Sequence, residues 1–293
     1  MRTAVIAAGV CRYSDIPSRT WDIFPFDADL YISTWDITNN TYSNQLTNSV
    51  QEIEIIKRNT KTNTRTRLIS VNISDYEEAI LSKKVLWSLA RPSFLLKEIY
   101  EKIKSSGYSR IIYFRPDLYL TTLENQTLSP DDFSVDDNTV KILGLHEPYA
   151  WIEHDLGKME DHFFCMSRSV FEQFIKIFDI IDITEKDIHK IYYNFFRKNN
   201  IKIETLDKMR AVLMRKEIED HYKHSTEPLS VQTMMEIYLD VYIKNQPTVN
   251  QIKQNAINLS QLDIDKEIKP DPDVLVKLSQ DLGGILKKRI QSQ

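Results

Sequence analysis

The chain has 293 residues, of which 42% are hydrophobic and 27% are charged, and its formal net charge is −4. This length predicts one large domain, or one domain with an appendage, and the composition is that of a globular protein with a hydrophobic core. The negative net charge provides no basic field for gathering nucleic acid, so we do not expect that partner. Only six residues are glycine, which argues against a glycine-rich phosphate loop.

Two cysteines, Cys11 and Cys165, lie far apart in the sequence and form neither a metal-binding motif nor a disulfide framework. We expect both to stay reduced in a cytoplasmic protein. The apolar run at the N-terminus is too short to span a membrane, and it is predicted to be a buried strand. We expect no transmembrane segment.

In the first half of the chain, continuous apolar runs at 3–8 and 28–34 predict buried parallel strands. The polar, proline-containing stretch between them, 12–26, predicts a loop with a short helix. Further strands are predicted at 49–56 and 67–73.

In the second half, Ser74 and Asp75 are suited to cap a long helix that runs toward residue 105, with an interruption at Pro92. Helices are also predicted from Ser167 to about 181 and from Thr184 to about 198. The predicted strands are 110–114, 140–145, 161–166 and 201–206, the last extended by 210–214.

This alternation of strands and helices predicts an α/β fold, with a mostly parallel sheet covered by helices, over residues 1–216. Residues 217–293 are polar, rich in lysine and broken by prolines, so we expect a helical C-terminal appendage that offers a route to homo-oligomers. In such sheets the ligand crevice lies at the carboxyl ends of the strands.

Three charged residues follow predicted strand ends. Asp117 comes directly after the strand 110–114, where a carboxylate suits a divalent metal and Arg115 suits a phosphate. Arg12 follows Gly9 after the first strand, where its guanidinium can reach a diphosphate. The alternatives are a turn cap for Asp117, a surface ion pair for Arg115 and a solvated loop for Arg12.

The second strand ends in Thr34, Trp35 and Asp36. Here the indole can stack on a nucleobase and the carboxylate can accept from a ribose or base, or the tryptophan can be an aromatic plug beside a helix cap. Arg91, on the long helix, is a candidate phosphate contact or a surface residue.

Acidic residues and histidines cluster in the region 146–162. General-base candidates are Asp161 first and Glu147 or Asp155 second, and the alternative for each is a solvated polar loop. The neighbouring histidines, His154 and His162, lack the helical spacing of a zinc site.

The order of these motifs resembles a group of bacterial and viral glycosyltransferase-like proteins of polysaccharide synthesis. The resemblance rests on the Gly-x-x-Arg turn 9–12, on the strand end Leu30-Tyr31-Ile32-Ser33-Thr34-Trp35-Asp36, and on Phe114-Arg115-Pro116-Asp117. It extends to Asp161-His162-Phe163-Phe164 with the following helix, and to the segment 190–215. It therefore covers about residues 1–216 and leaves the rest of the chain outside.

This resemblance implies a GT-A-like (Rossmann-like) fold that binds a nucleoside-diphosphate sugar, with a UDP-sugar as the first expectation and a glycan as acceptor. The family usually holds Mn²⁺ or Mg²⁺ with an Asp-x-Asp motif. The corresponding element here is Arg115-Pro116-Asp117, so Asp117 is the expected metal ligand and the second carboxylate is missing. Two alternatives remain: a non-catalytic carbohydrate- or protein-binding module on the same fold, and a structural protein assembled through its C-terminal helices.

Overall fold

The computed structural model describes residues 2–40, 45–75, 91–123, 126–143, 159, 161–177, 188–214 and 216–224, with isolated positions at 230, 233, 234 and 237. By its internal contacts the chain divides into two compact units, Met1–Met235 and Glu236–Gln293. The elements and the candidate site all belong to the first unit. The expected appendage 217–293 lies mostly outside the described residues, and its role stays a prediction.

In chain order, the strands are β1 (Thr3–Ala8), β2 (Ala28–Trp35), β3 (Ile37–Asn40), β4 (Gln45–Asn48), β5 (Thr66–Ser74), β6 (Arg110–Phe114), β7 (Leu118–Thr122), β8 (Thr139–Leu143), β9 (Phe163–Ser167), β10 (Lys202–Leu206) and β11 (Met209–Leu213). The α-helices are α1 (Asp15–Ser18), α2 (Ser49–Thr60), α3 (Arg91–Ile103), α4 (Arg168–Phe174), α5 (Ile188–Lys198) and α6 (Lys216–His224), and a 3₁₀ helix covers Pro130–Phe133.

The main sheet has seven strands in the order β10-β8-β9-β6-β1-β2-β5. Neighbours pair in parallel except at β9, which is antiparallel to both β6 and β8. Two antiparallel pairs, β3 with β4 and β7 with β11, lie outside this sheet. The expected α/β fold with a mostly parallel, helix-flanked sheet is therefore confirmed.

Both faces of the main sheet are covered, and β1 is buried throughout. Side chains alternate between the two faces of a strand. Ala4, Ile6 and Ala8 join a core with residues of α3, α4 and α5. Val5 and Ala7 join a second core with residues of α2 and of the loops on the other face. The sheet thus separates two hydrophobic cores.

Aromatic rings fill the core on the α3–α5 side. The ring of Phe164 on β9 lies 5.7 Å from that of Tyr113, 5.4 Å from Phe174, 5.5 Å from Tyr192 and 5.8 Å from Phe196, centroid to centroid. Such tilted and edge-to-face contacts add to the free energy gained by burial. They fix β9, the antiparallel strand, against α4 and α5.

Two strand predictions were wrong. Residues 49–56 lie in α2. The strand was predicted because glutamate and isoleucine alternate from Glu52 to Ile55. The buried residues Ile53, Ile56 and Thr60 are instead spaced by three and four, as on one face of a helix. Residues 210–214 do not extend β10. Residues 210–213 belong to β11, which pairs with the unpredicted strand β7 directly after Asp117.

Several other elements match the predictions. Strand 110–114 is β6, and the loop 12–26 contains the short helix α1. The hydroxyl of Ser167 caps α4 by accepting from the backbone N–H of Val170 at 3.2 Å. Pro92 lies in the first turn of the described helix α3, where proline is tolerated. Residues 76–90, the expected first half of that helix, lie outside the described residues.

Within the part of the chain that the structure describes, no helix has the length and apolar character needed to cross a membrane.

The packing of Phe164 can be tested by substitution. Replacing this fully buried ring in Phe164→Ala should lower the free energy of unfolding by about 3–5 kcal/mol, because a cavity remains among four other aromatic rings. Urea denaturation measures the change. The matched control is Ile69→Ala on β5, whose side chain is 42% exposed and should cost about 1 kcal/mol or less. Equal losses from the two substitutions would contradict this account of the core.

Candidate functional site

The candidate site lies where the order of strands in the main sheet reverses. Counted along the chain, β5, β2, β1 and β6 are the third, second, first and fourth strands of the main sheet, and they lie side by side in that order. The winding reverses between β1 and β6, and doubly wound sheets bind ligands in the crevice beyond this point. The turns that come after β1 and β6 lie at this point of the sheet.

The two turns are packed against each other at Gly9 and Pro116. Gly9 has a φ of +140°, and a Cβ atom on it would lie 3.3 Å from Cδ of Pro116. Its backbone N–H donates to the carbonyl of Ser33 on β2 at 3.1 Å. Glycine permits both this φ and this close approach. The Gly-x-x-Arg turn and the Arg-Pro-Asp turn are therefore in direct contact.

Beyond this contact, Asp117 accepts hydrogen bonds from two arginines. Arg12 donates from Nε and Nη2 to Oδ2 at 2.9 and 2.8 Å. Arg115 donates from Nε to Oδ1 at 3.1 Å and from Nη2 to Oδ2 at 3.0 Å. The Asp117 side chain is 1% exposed, whereas those of Arg12 and Arg115 are 11% and 25% exposed. We call these three residues the arginine clamp.

The arginine clamp is charged at neutral pH. Burial alone would raise the pKa of Asp117, but the guanidiniums of Arg115 and Arg12 outweigh it and hold the pKa well below its usual range. Burial opposes the charge on Arg115 as well, and the carboxylates of Asp117 and Asp161 more than compensate by raising its pKa. Two cations and one anion leave a net charge of +1.

The expected metal role of Asp117 does not fit this geometry. Both of its carboxylate oxygens already accept N–H groups, and guanidiniums flank them. Mg²⁺ and similar cations bind carboxylate oxygens at about 2.0–2.1 Å. A metal at Oδ2 would therefore have to displace its donors, and a metal at Oδ1 would lie beside the Arg115 guanidinium that donates to that oxygen. In either position it would remain next to two positive charges. Among the residues that the structure describes, no group of three or more histidine, cysteine or acidic side chains is arranged to hold a metal.

Asp161 lies at the same edge of the sheet because β9 runs antiparallel to β6. The residues just before β9 therefore adjoin the end of β6, and the backbone N–H of Arg115 donates to the carbonyl of His162 at 3.0 Å. Burial opposes ionisation of Asp161, but its pKa is lowered by His162 and Arg115. The structure thus brings Asp161 close to the arginine clamp.

The contact between Asp161 and His162 is not an ion pair at neutral pH. The two side chains approach to 3.1 Å between Oδ1 and Nε2, yet burial lowers the pKa of His162 to about 4, so the imidazole is neutral. Oδ1 of Asp161 is buried and has no hydrogen-bond partner in the described part of the chain. An ionised carboxylate of this kind can accept a proton or a hydrogen bond.

The end of β2 supports the clamp from behind. The hydroxyl of Thr34 accepts from the backbone N–H of Cys11 at 3.3 Å and so braces the turn that carries Arg12. Trp35 is 1% exposed, and its ring stacks on Phe94 at 5.5 Å. This is the aromatic-plug arrangement, which leaves the indole no face for a nucleobase. Asp36 is half-buried and donates its backbone N–H to the carbonyl of Ser74.

The other predicted site residues are placed less fully. Arg91 is the first residue of α3, and the structure describes its backbone alone. Glu147, Asp155 and their neighbours His146, Glu153 and His154 lie outside the described residues. Their candidate roles stay predictions.

Sequence reasoning missed two features of the turn after β1. Tyr13 has a left-handed φ of 55°, a strained conformation that is often found at functional sites. The backbone N–H of Ser14 donates to Oε2 of Glu52 at 2.7 Å. The contact of Glu52 could not be expected from the prediction of 49–56 as a strand, because Glu52 lies on the helix α2.

The charge of Asp117 should be necessary for stability. In Asp117→Asn two partly buried guanidiniums lose their anion, and the free energy of unfolding should fall by roughly 3 kcal/mol. The control is Glu172→Gln, which weakens a more exposed ion pair with Arg168 and should cost about 1 kcal/mol or less. Chemical denaturation at pH 7 measures both.

The pH dependence of this loss provides a second check. The pKa of Asp117 is depressed in the folded state, so its contribution is present above the unfolded carboxyl pKa of about 3.9 and is lost as pH falls through the folded value. The difference in stability between wild type and Asp117→Asn should be constant from pH 5 to 8 and shrink below about pH 4. A difference that grows in acid would contradict the assignment.

Comparison of the chain with protein-family models and with curated proteins gives no match. A function for the chain is therefore proposed from the geometry and charge of the site.

Proposed function

We propose that the chain is a glycosyltransferase that moves a sugar from a nucleoside-diphosphate sugar to a hydroxyl of a glycan or related acceptor. The observation that carries this proposal is the arginine clamp, which pairs Arg12 and Arg115 around the buried Asp117. It lies at the reversal of strand order between β1 and β6, where doubly wound sheets bind nucleotides.

The charge of the clamp suits a diphosphate. Each guanidinium uses two of its five N–H donors on Asp117, so each retains donors for an anionic ligand. Arginine binds phosphate oxygens with charge-assisted, often bidentate hydrogen bonds. Two preorganised guanidiniums, with a net charge of +1 in the clamp itself, favour a ligand that carries several negative charges.

The finer fold assignment, GT-A-like, belongs to this proposal. It is supported by the order of β5, β2, β1 and β6, which is that of nucleotide-binding sheets. It is also supported by the resemblance of the strand-end motifs to glycosyltransferase-like proteins. A UDP-sugar stays the first choice of donor, and a cytoplasmic location and self-association through 217–293 stay predictions.

The chemistry derives from the same arrangement. The acceptor oxygen forms a bond to the anomeric carbon, the bond from that carbon to the diphosphate breaks, and its electron pair leaves with the diphosphate. Arg12 and Arg115 stabilise the negative charge that develops there, a large contribution in transfer reactions of this kind. If the reaction inverts the anomeric centre, a carboxylate must take the proton of the acceptor hydroxyl.

Asp161 is the first candidate for that base. It is ionised, lies beside Arg115 at the edge of the crevice and has a buried oxygen, Oδ1, without a hydrogen bond among the described residues. Glu147 and Asp155 remain the second candidates from the sequence. In a reaction that retains the anomeric configuration the departing diphosphate takes the proton of the acceptor hydroxyl, and this base is not needed.

One observation favours a second function, binding without catalysis. Asp117 is bound by two arginines, whereas the resembled family has a pair of carboxylates at this position. A non-catalytic module on the same fold would bind a carbohydrate or protein without transferring a sugar. Release of the nucleoside diphosphate from a bound donor, measured with and without acceptor glycans, separates a transferase from a binding module.

The donor site is tested by calorimetry with a panel of UDP-, GDP- and dTDP-sugars. At least one donor should bind, and Arg115→Gln should weaken it by roughly 10- to 100-fold because a charge-assisted hydrogen bond is lost. The control Arg67→Gln changes an arginine whose side chain is 74% exposed and which lies at the other edge of the sheet, so affinity should not change. Failure of every donor to bind would refute the proposed function.

A further inference from the structure

We propose that this site binds the diphosphate group without a divalent metal, with Arg12 and Arg115 as the counter-cations and Asp117 as the residue that positions them. The inference deepens the proposed function and, for its biological ligand, rests on it. The resemblance alone would predict dependence on a divalent metal, since the resembled proteins usually hold a metal with two carboxylates.

The carboxylate of Asp117 already accepts four hydrogen bonds from the two arginines. Oδ2 accepts three hydrogen bonds, two from Arg12 at 2.9 and 2.8 Å and one from Arg115 at 3.0 Å. Oδ1 accepts a fourth, from Arg115 at 3.1 Å. A metal bound to Oδ2 would have to remove donors of Arg12 or Arg115, and partly buried guanidiniums without an anion are costly. A metal bound to Oδ1 would lie next to the guanidinium of Arg115, which already donates to that oxygen.

The net charge of the arginine clamp can be compared with that of a metal site. A divalent cation held by two carboxylates presents no net charge to the diphosphate. The clamp contains two guanidiniums and one carboxylate, and so presents a net charge of +1 without any metal. The arginines therefore supply at least as much positive charge as the usual metal arrangement.

The two guanidiniums are held in place before a ligand arrives. Arginine side chains have several rotatable bonds, and fixing them on a ligand costs conformational entropy. Here one buried carboxylate already holds both guanidiniums, while Arg12 and Arg115 stay 11% and 25% exposed toward solvent. Asp117 thus acts through the arginines, and a ligand finds two cations already in place.

The same chemistry at the opposite edge of the sheet offers a matched control. Asp29 accepts from Nη2 of Arg2 at 2.9 Å and from Nη2 of Arg67 at 3.0 Å. These arginines are far more exposed, at 56% and 74%. Asp29→Asn removes a carboxylate from between two arginines, as Asp117→Asn does, but at the amino ends of the strands.

The experiment is calorimetry on the full chain with UDP and with inorganic pyrophosphate, each in EDTA and in Mn²⁺. Wild type should bind both ligands in EDTA, with an affinity equal to or above that in Mn²⁺, because the free diphosphate carries more negative charge than its metal complex. Asp117→Asn should lose about tenfold or more in affinity in both buffers, because the ligand must then order two arginine side chains itself, and we expect this cost to exceed the gain from one more positive charge. Asp29→Asn should bind as wild type does.

Asp117→Glu separates positioning from a general effect on folding, since it restores the charge and should recover part of the affinity that Asp117→Asn loses. If Asp117→Asn does not fold, the comparison of wild type in EDTA and in Mn²⁺ decides the matter. A loss of tenfold or more on adding EDTA overturns the inference, as does an absence of binding by both ligands in EDTA.

The outcomes also distinguish this inference from the proposed function. Binding of pyrophosphate in EDTA with no binding of any nucleotide sugar supports the clamp and refutes the glycosyltransferase. Binding of a nucleotide sugar that requires Mn²⁺ supports the glycosyltransferase and refutes the clamp as a replacement for the metal.

Discussion

The buried carboxylate of Asp117 is the constraint on which the arrangement of the crevice depends. Two guanidiniums of like charge would repel each other at this distance, and a lone carboxylate would not stay ionised when 1% exposed. Together they form a compact charged unit that joins the end of β1 to the end of β6. The contact between Gly9 and Pro116 beneath it lets the two turns approach closely enough for these bonds.

The antiparallel direction of β9 brings more residues to the edge of the sheet at the end of β6 than parallel strands alone would bring. Parallel strands contribute only the residues that come after them, such as Arg12 and Asp117. Because β9 enters the sheet at this edge, the residues that precede it also reach the crevice, and Asp161 is one of them. The crevice therefore contains cationic and anionic groups side by side.

Much of this arrangement could be predicted from the sequence, because buried parallel strands are continuous apolar runs and polar residues at their ends share one edge. That reasoning found β1, β6, Arg12 and Asp117. It did not reveal that Arg12 and Arg115 both bind Asp117, since the pattern around a residue does not record its long-range partners. It left the role of Trp35 open, because an indole at a strand end is equally compatible with a pocket wall and with a core. It was wrong for α2, whose short alternation of glutamate and isoleucine imitates a strand.

The separation of Arg12 from Asp117 by 105 residues has a kinetic consequence. Closing so long a loop costs chain entropy before the contact returns any energy, and contacts of this range form slowly. A partly folded chain in which β1 has paired with β2 but not yet with β6 holds Arg12 without its carboxylate. The clamp is complete only when the fourth strand has docked, so its formation during refolding marks the moment at which the centre of the sheet closes.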